Sequence, residues 1–466
     1  MARIERDSLG ERELPDDVYY GVQTLRGWEN FHITGLPISR EPALVKAFGF
    51  VKKAAALANM ECGVLDPGIG EAIVKACDRL IDGEFADQFI TDCIQGGAGT
   101  SVNMNANEVI ANVALEMMGK DKGDYAAVNP NDHVNCSQST NDIYPTAFRL
   151  ALIMRLHHYA ATLERLRDAF REKGVEFARV LKMGRTHLQD AVPMSLGMEF
   201  NGFATNIDEE IGKVVESGKL LCEINLGATA IGTKVNAPPG YPELAVKNLA
   251  ELTGINFILA SDLIEATSDT GAYIQLSGVI KRTAVKLTKI CNDLRLLSSG
   301  PRCGLNEIDL PRLQPGSSIM PGKVNPVIPE VVNQSAFLVI GLDTTVTLAA
   351  SAGQLQLNVM EPVISHALFT SINTMQNAVK TLADKCVCGI TANAERTEAM
   401  VMNSIGIVTQ LSPILGYKKC AEIAKEAFEE NKSLHDIVVK ERMLLSQEKW
   451  DAVFSFENLI NPKYVK

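Results

Sequence analysis

Between Ala336 and Ala352 the chain reads AFLVIGLDTTVTLAASA, a helical stretch that is apolar on nearly every face. Such a helix has no polar side to turn toward water and needs neighbours all round. Gly341, Asp343 and several threonines interrupt the run, which argues against a membrane span. Burial among other helices is the remaining solution. It takes more of them than one subunit's bundle readily provides, so the pattern predicts an oligomer with a shared helical core. Leu156, Tyr159, Leu163, Leu166 and Phe170 recur at spacings of three and four, as do Ile280, Ala284, Leu287, Cys291 and Leu294, and residues 207–221 are again helical. Strand signals are few and short, so the expected fold class is mainly α.

Composition narrows what such a bundle does. The 466 residues carry a formal net charge of -11 with no block of like charge, which disfavours nucleic acid and anionic membrane surfaces as partners. A hydrophobic fraction of 46% suits a soluble globular protein with an ample core. The opening MARIERDSLGERELPDD is charged and lacks an apolar centre, so no secretory signal is expected. Ten cysteines scattered from Cys62 to Cys420 read as reduced thiols of a cytoplasmic protein. Cys386 and Cys388 are separated by a single residue with no histidine alongside, which is not a usual zinc spacing, so no metal site is predicted. His157 and His158 point to different helix faces and read as structural.

Candidate chemistry collects in the breaks between helices. Up to about Asp142, turn signals at Leu14–Asp17, Asp66–Gly68 and Asn129–Asp132 separate what read as short helices. The Gly-rich QGGAGTSVNMNANEVI, Gln95 to Ile110, places Thr100 and Ser101 at a helix entrance, where unpaired N–H groups can hold a carboxylate or phosphate. It lacks the ending of a nucleotide P-loop, and a ligand-free cap fits the same residues. In NPNDHVNCSQSTNDIYPT, Asn129 to Thr146, Ser139, Thr140 and Asn141 stand just ahead of Tyr144 and Pro145, where a helix can begin. A cap needs one or two of them, not three. Thr186 and His187 lie in GRTHLQDAVPMSLG, Gly184 to Gly197.

The last cluster is QPGSSIMPGKVNPVIP, Gln314 to Pro329, whose four prolines and two glycines make it a loop. Ser317, Ser318, Lys323, Asn325 and free backbone N–H groups offer hydroxyls, a cation and donors to an anion. A stiff connector would have the same composition. What favours a site is recurrence: four clusters rich in neutral donors, with a lysine and little carboxylate, all at helix ends or loops. They suit a substrate that brings its own negative charges. No cofactor motif is present, so acid–base chemistry is expected.

GSSIMPGKVNP, Gly316 to Pro326, resembles the signature of the aspartase/fumarase superfamily, and the match runs through the whole chain in order. GTSVNMN (Gly99–Asn105), QSTND (Gln138–Asp142), LRLLSSGPRCGLNEIDLP (Leu294–Pro311) and GQLQLNVMEPVI (Gly353–Ile364) are similar to the aspartase branch. Class II fumarases, the alternative, typically read GTQSNMN and QSSND. The resemblance implies a three-domain, mainly helical subunit: residues 1–142 mostly helical, 143–393 a long central helix bundle, and 394–466 a small helical domain. It further implies a homotetramer whose active sites are each shared among three subunits. The implied reaction is reversible conversion of L-aspartate to fumarate and ammonia, with no organic cofactor. A non-catalytic helical oligomer is a third possibility, and it would need none of the polar clusters.

Removing the Cβ proton of aspartate beside a carboxylate creates a dianionic aci-carboxylate, which needs preorganised donors. Matched position by position, the family pattern makes Ser317 the base, its alkoxide stabilised by loop N–H groups and Lys323. Ser139, Thr140 and Ser318 are implied at the β-carboxylate with Thr100 close by, and Thr186, Lys323 and Asn325 at the α-carboxylate. Asn141 and His187 fall near the amino group, His187 as a hydrogen-bonding partner or a proton carrier. In GTKVN, Gly232 to Asn236, Lys234 and Val235 replace the glycine and leucine of many relatives, which implies an altered surface or site rim.

Overall fold

A computed structural model describes residues 2–461. The chain divides into two compact units, the first made of Met1–Ala161, Ile211–Ala284 and Ala336–Gln376, the second of Thr162–Glu210, Val285–Ser335 and Asn377–Lys466. Helices dominate both. The longest are Thr140–Glu176, Leu196–Leu220, Gly271–Leu297, Val327–Ser351 and Glu361–Lys385, and each sheet among the described residues has two strands. The mainly α expectation therefore holds.

The first unit opens with an element the pattern of short helices did not anticipate. Ala2–Asp7 and Gly10–Pro15 pair antiparallel, with Ala2 opposite Pro15 and Asp7 opposite Gly10. The ribbon is charged on both faces, so no apolar alternation marks it. It is tied to the following helix by the ion pair of Arg26 with Asp7 at 2.7 Å and by Glu5, which accepts from Val22 N at 2.9 Å.

The Gly-rich turn does lead into a helix, Thr100–Met117, and this helix is buried along its polar residues as well as its apolar ones. Asn105, Asn107 and Asn112 are wholly buried, and Glu108 accepts from the N–H groups of Gly21, Gln23 and Thr24 and from the Thr24 hydroxyl at 2.6–3.0 Å. That carboxylate caps the start of the neighbouring helix, Val22–Asn30. Gly99, ahead of Thr100, has φ +92°, and a Cβ there would lie 2.4 Å from the Tyr144 ring. Only glycine fits this entrance.

The next helix begins at Thr140, with Pro145 inside its second turn rather than at its start. Proline has no N–H for the carbonyl four residues back, Asn141. The Asn225 side-chain amide supplies the missing donor at 3.0 Å.

The apolar stretch forms the helix Val327–Ser351, but only 28% of its most apolar window is buried within one chain. Phe337, Leu338 and Leu348 are 58%, 51% and 65% exposed. Burial on all sides is thus not achieved by one copy, and large apolar side chains are left exposed along the helix. By length and by a mean hydropathy of 1.3 over its most apolar window the helix also meets the composition criterion for a membrane span, a criterion that core helices of soluble proteins meet as well. Asp343 is nonetheless engaged by protein, accepting from Ser277 Oγ at 2.7 Å and Lys281 Nζ at 2.6 Å.

The second unit contains a hairpin, Leu181–Thr186 with Gln189–Ser195, in the stretch that carries Thr186 and His187. Leu181 and Met183 on its first strand pack into a core with Ile407, Ile423, Ile437 and Trp450, which gathers the C-terminal helices. Those helices include Tyr417–Glu429 and Gln447–Val453.

Candidate functional site

In the first unit, Ser139 caps the Thr140–Glu176 helix. Its Oγ accepts from Asn141 N at 3.3 Å, while Ser139 N donates to Asp142 Oδ1 at 2.9 Å, a reciprocal capping arrangement. Asp142 is wholly buried, and its other oxygen accepts from the N–H groups of Gly227 and Thr229 at 2.9 and 3.1 Å. Burial raises this carboxyl to about 6, although the three backbone donors and Lys52 pull the other way. Asn141 Nδ2 donates to the carbonyl of Ala230 at 2.7 Å. The helix start and the segment 225–230 are in this way one hydrogen-bonded assembly.

Thr140 connects to the Gly-rich entrance. Asn103 Nδ2 lies 3.2 Å from Thr140 Oγ1, one turn beyond Thr100, whose own hydroxyl donates to Gly97 O at 2.7 Å. Two helix N-termini therefore meet here, each carrying the partial positive charge of its helix dipole, an arrangement suited to a carboxylate. Behind them, Asn103 and Asn107 both donate to Asn135 Oδ1 at 3.2 Å, and Lys52 Nζ donates to Asn135 Oδ1 and Gln138 Oε1, each at 2.9 Å. Lys52 is wholly buried, and among the described residues it forms no ion pair. Burial lowers its ammonium to about 7.

In the second unit, Thr186 ends one hairpin strand opposite Gln189, and the two residues between them, His187 and Leu188, have φ of +55° and +62°. Positive φ at both central positions is the type I′ turn, which usually takes Asn-Gly. A histidine and a leucine there cost about 1–2 kcal/mol each, a strain that points to function at the tip.

The proline-rich loop is closed at its neck. Gly316 N donates to Lys323 O at 2.7 Å, and Asn325 Nδ2 donates to Gly316 O at 2.8 Å. Ser317 Oγ accepts from the N–H groups of Ile319 and Met320 at 3.2 and 3.0 Å. Two donors aimed at one hydroxyl oxygen favour its anionic form. Ser318 and Lys323 are exposed on the same loop, and Lys323 forms no ion pair among the described residues.

Thr100, Ser139, Thr140 and Asn141 are thus assembled in the first unit, while the second presents Thr186 and His187 on a hairpin tip and Ser317, Ser318, Lys323 and Asn325 on a closed loop. Lys234 sits in the left-handed region, φ +59°, with its ammonium 3.7 Å from Glu243. Three supporting residues had escaped notice: Asp142, Asn103 and Lys52. Asp142 had a local signal, a carboxylate three residues after a serine cap; the other two act over separations no local pattern reveals. Among the described residues no group of three or more His, Cys, Asp or Glu is placed to hold a metal ion, and all ten cysteines are free thiols.

Residues 10–341 match the family model described as "Lyase", and residues 407–461 match "Fumarase C C-terminus". An aspartate ammonia-lyase of Helicobacter pylori is 57% identical over 464 residues, covering 100% of this chain and 99% of that one. Among solved structures, a Brucella melitensis protein described as "fumarate lyase:delta crystallin", bound to cobalt, aligns with TM-score 0.97 and 51% identity over 99% of this chain and 100% of that one. A class II fumarase of Schistosoma mansoni aligns with TM-score 0.92 but 35% identity, covering 99% of this chain and 100% of that one. The chain belongs to the lyase family of the aspartase/fumarase superfamily, in its aspartate ammonia-lyase branch.

Proposed function

We propose that this protein is a carbon–nitrogen lyase that interconverts L-aspartate with fumarate and ammonia, working in the cytoplasm as a homotetramer. Ser317 takes the Cβ proton. The developing dianion at the β-carboxylate is held by Ser139, Thr140 and Ser318 with Thr100 nearby, and the α-carboxylate by Thr186, Lys323 and Asn325. Asn141 and His187 face the amino group, and ammonia leaves from an ammonium, so no strong general acid is required. In this reading the exposed apolar residues of Val327–Ser351 are covered by other copies, and each active site is shared among three subunits. The three-domain division at residues 142 and 393 belongs to the same reading.

The observation that carries the proposal is the pair of backbone N–H groups aimed at Ser317 Oγ. A serine is a weak base unless its alkoxide is stabilised, and these donors with Lys323 on the same loop supply that. Fumarate formation from L-aspartate, followed by ultraviolet absorbance, tests the reading. We expect turnover with aspartate and none with L-malate, and we expect Ser317→Ala to remove nearly all of it while the protein stays folded. Turnover of malate alone would instead favour the fumarase reading.

A further inference from the structure

We infer that Glu307 is a positioning residue for the hairpin tip that carries Thr186 and His187, acting through Arg185 and Lys182. The inference rests on the placement of Thr186 at the α-carboxylate. Glu307 is 1% exposed, yet it is approached by two cations, Arg185 Nη1 at 2.5 Å and Lys182 Nζ at 3.0 Å. Both are contacts between charges rather than aligned hydrogen bonds. Lys182 also reaches Glu199 in the first turn of Leu196–Leu220 at 2.5 Å, so two positive and two negative groups balance. A buried carboxylate is tolerated only when so compensated, and the compensation fixes where its partners stand.

Those partners lie on the strand Leu181–Thr186, on either side of the register shift between Met183 and Arg185. Arg185 directly precedes Thr186. Beyond Thr186 the chain reverses in a two-residue turn, His187 and Leu188, both in the left-handed region. Glu307 itself is held by its backbone: its N–H donates to Leu297 O at 2.8 Å and its carbonyl accepts from Asn393 N at 2.9 Å. Arg396 donates to the carbonyls of Leu305 and Gly304 at 2.6 and 2.7 Å, stiffening the approach. One end of the charge cluster is thereby anchored to the ends of two helices, and the other sets the height of the tip. Apolar packing would fill the same volume without setting that height.

The test uses the full-length protein with Glu307→Gln, Arg185→Gln and the double substitution. It measures steady-state fumarate formation together with amide hydrogen exchange over residues 181–195. Arg185→Gln leaves Glu307 paired with Lys182, so it should fold and assemble as the wild type does. We expect it to raise KM for aspartate about tenfold with kcat changed less than about threefold, because the tip holds the α-carboxylate rather than the reacting carbon. Glu307→Gln should match or exceed that effect, and the double substitution should be no worse than Glu307→Gln. A role confined to stability would lower the thermal midpoint and the active fraction without moving KM. A KM within about twofold of wild type in folded Arg185→Gln, or additive effects in the double variant, overturns the inference. If the wild type makes no fumarate, the functional reading fails by itself; faster exchange at residues 185–189 in Arg185→Gln then still supports positioning, and unchanged exchange overturns it.

Discussion

Asn325 Nδ2 donates to the carbonyl of Gly316 across 2.8 Å, and this bond, with Gly316 N to Lys323 O, makes residues 316–325 a closed noose rather than an open strap. Asn325 therefore has a structural duty beside the substrate contact proposed for it. Its amide carries two protons, so one can close the neck while the other faces a ligand.

The neck leaves no room for a side chain. A Cβ on Gly316 would lie 2.8 Å from Lys323 O and 2.9 Å from Asn325 N, both backbone atoms that cannot swing aside. Gly316→Ala should spread the noose and shift Ser317 away from its two donors. We expect kcat for aspartate to fall about a hundredfold, the scale of losing one oxyanion donor, while the thermal midpoint stays within about two degrees because the loop is largely exposed. Wild-type turnover in the folded variant would show that the neck does not set the base.

Thr140 offers a test of the other half of the site. Its hydroxyl is 3.2 Å from Asn103 Nδ2, in a cluster extending to Asn135 and Lys52. Thr140→Val keeps the shape and removes the oxygen. If Thr140 serves the β-carboxylate, kcat should fall about a hundredfold, more than KM rises, since the charge there grows only in the transition state. Steady-state kinetics at saturating aspartate separate the two parameters.

Much of this was legible before any coordinates, and the division between what was and was not is physical. The proline-bounded loop, the Gly99 entrance and the Ser139 cap depend on backbone rules within five residues, so the letters announce them. The N-terminal ribbon has almost no apolar face, and the hairpin at 181–195 turns on His187 and Leu188 instead of Asn-Gly, so neither carries a strand signal. The Thr140 helix starts before Pro145 because Asn225 repairs the bond that proline breaks, from 84 residues away. Lys52 meets Asn135 across 83 residues, and no periodicity reports such a pairing.

The strain at the hairpin tip is itself measurable. Leu188 is 69% exposed and held at φ +62°, the second turn position, where glycine is preferred. Leu188→Gly should relieve about 1 kcal/mol, partly offset by the greater freedom glycine gives the unfolded chain, and so raise the thermal midpoint slightly. Its KM for aspartate should stay near wild type, because the I′ turn and the position of Thr186 persist. A lowered midpoint would mean that the leucine is stabilised by contacts outside a single copy.

Glu361 provides the pH test. It is 8% exposed at the start of Glu361–Lys385, and burial pushes its carboxyl up to about 8 from an ordinary 4.5, against the pull of Arg149. Below 4.5 the folded and unfolded chains both hold the proton, and no stability depends on it. Between 4.5 and about 8 the unfolded chain releases the proton while the folded chain keeps it, so the folded state binds more protons and stability falls as pH rises through this window. The decline attributable to this one group is about 3 kcal/mol when discounted for relaxation on unfolding. Glu361→Gln carries the neutral form at every pH and should remove that share. Denaturant midpoints at fixed protein concentration, taken at about pH 5 and pH 8.5, should therefore differ less in the variant than in the wild type. An equal decline in both would place the Glu361 carboxylate in its ionised form at neutral pH, paired more closely with Arg149.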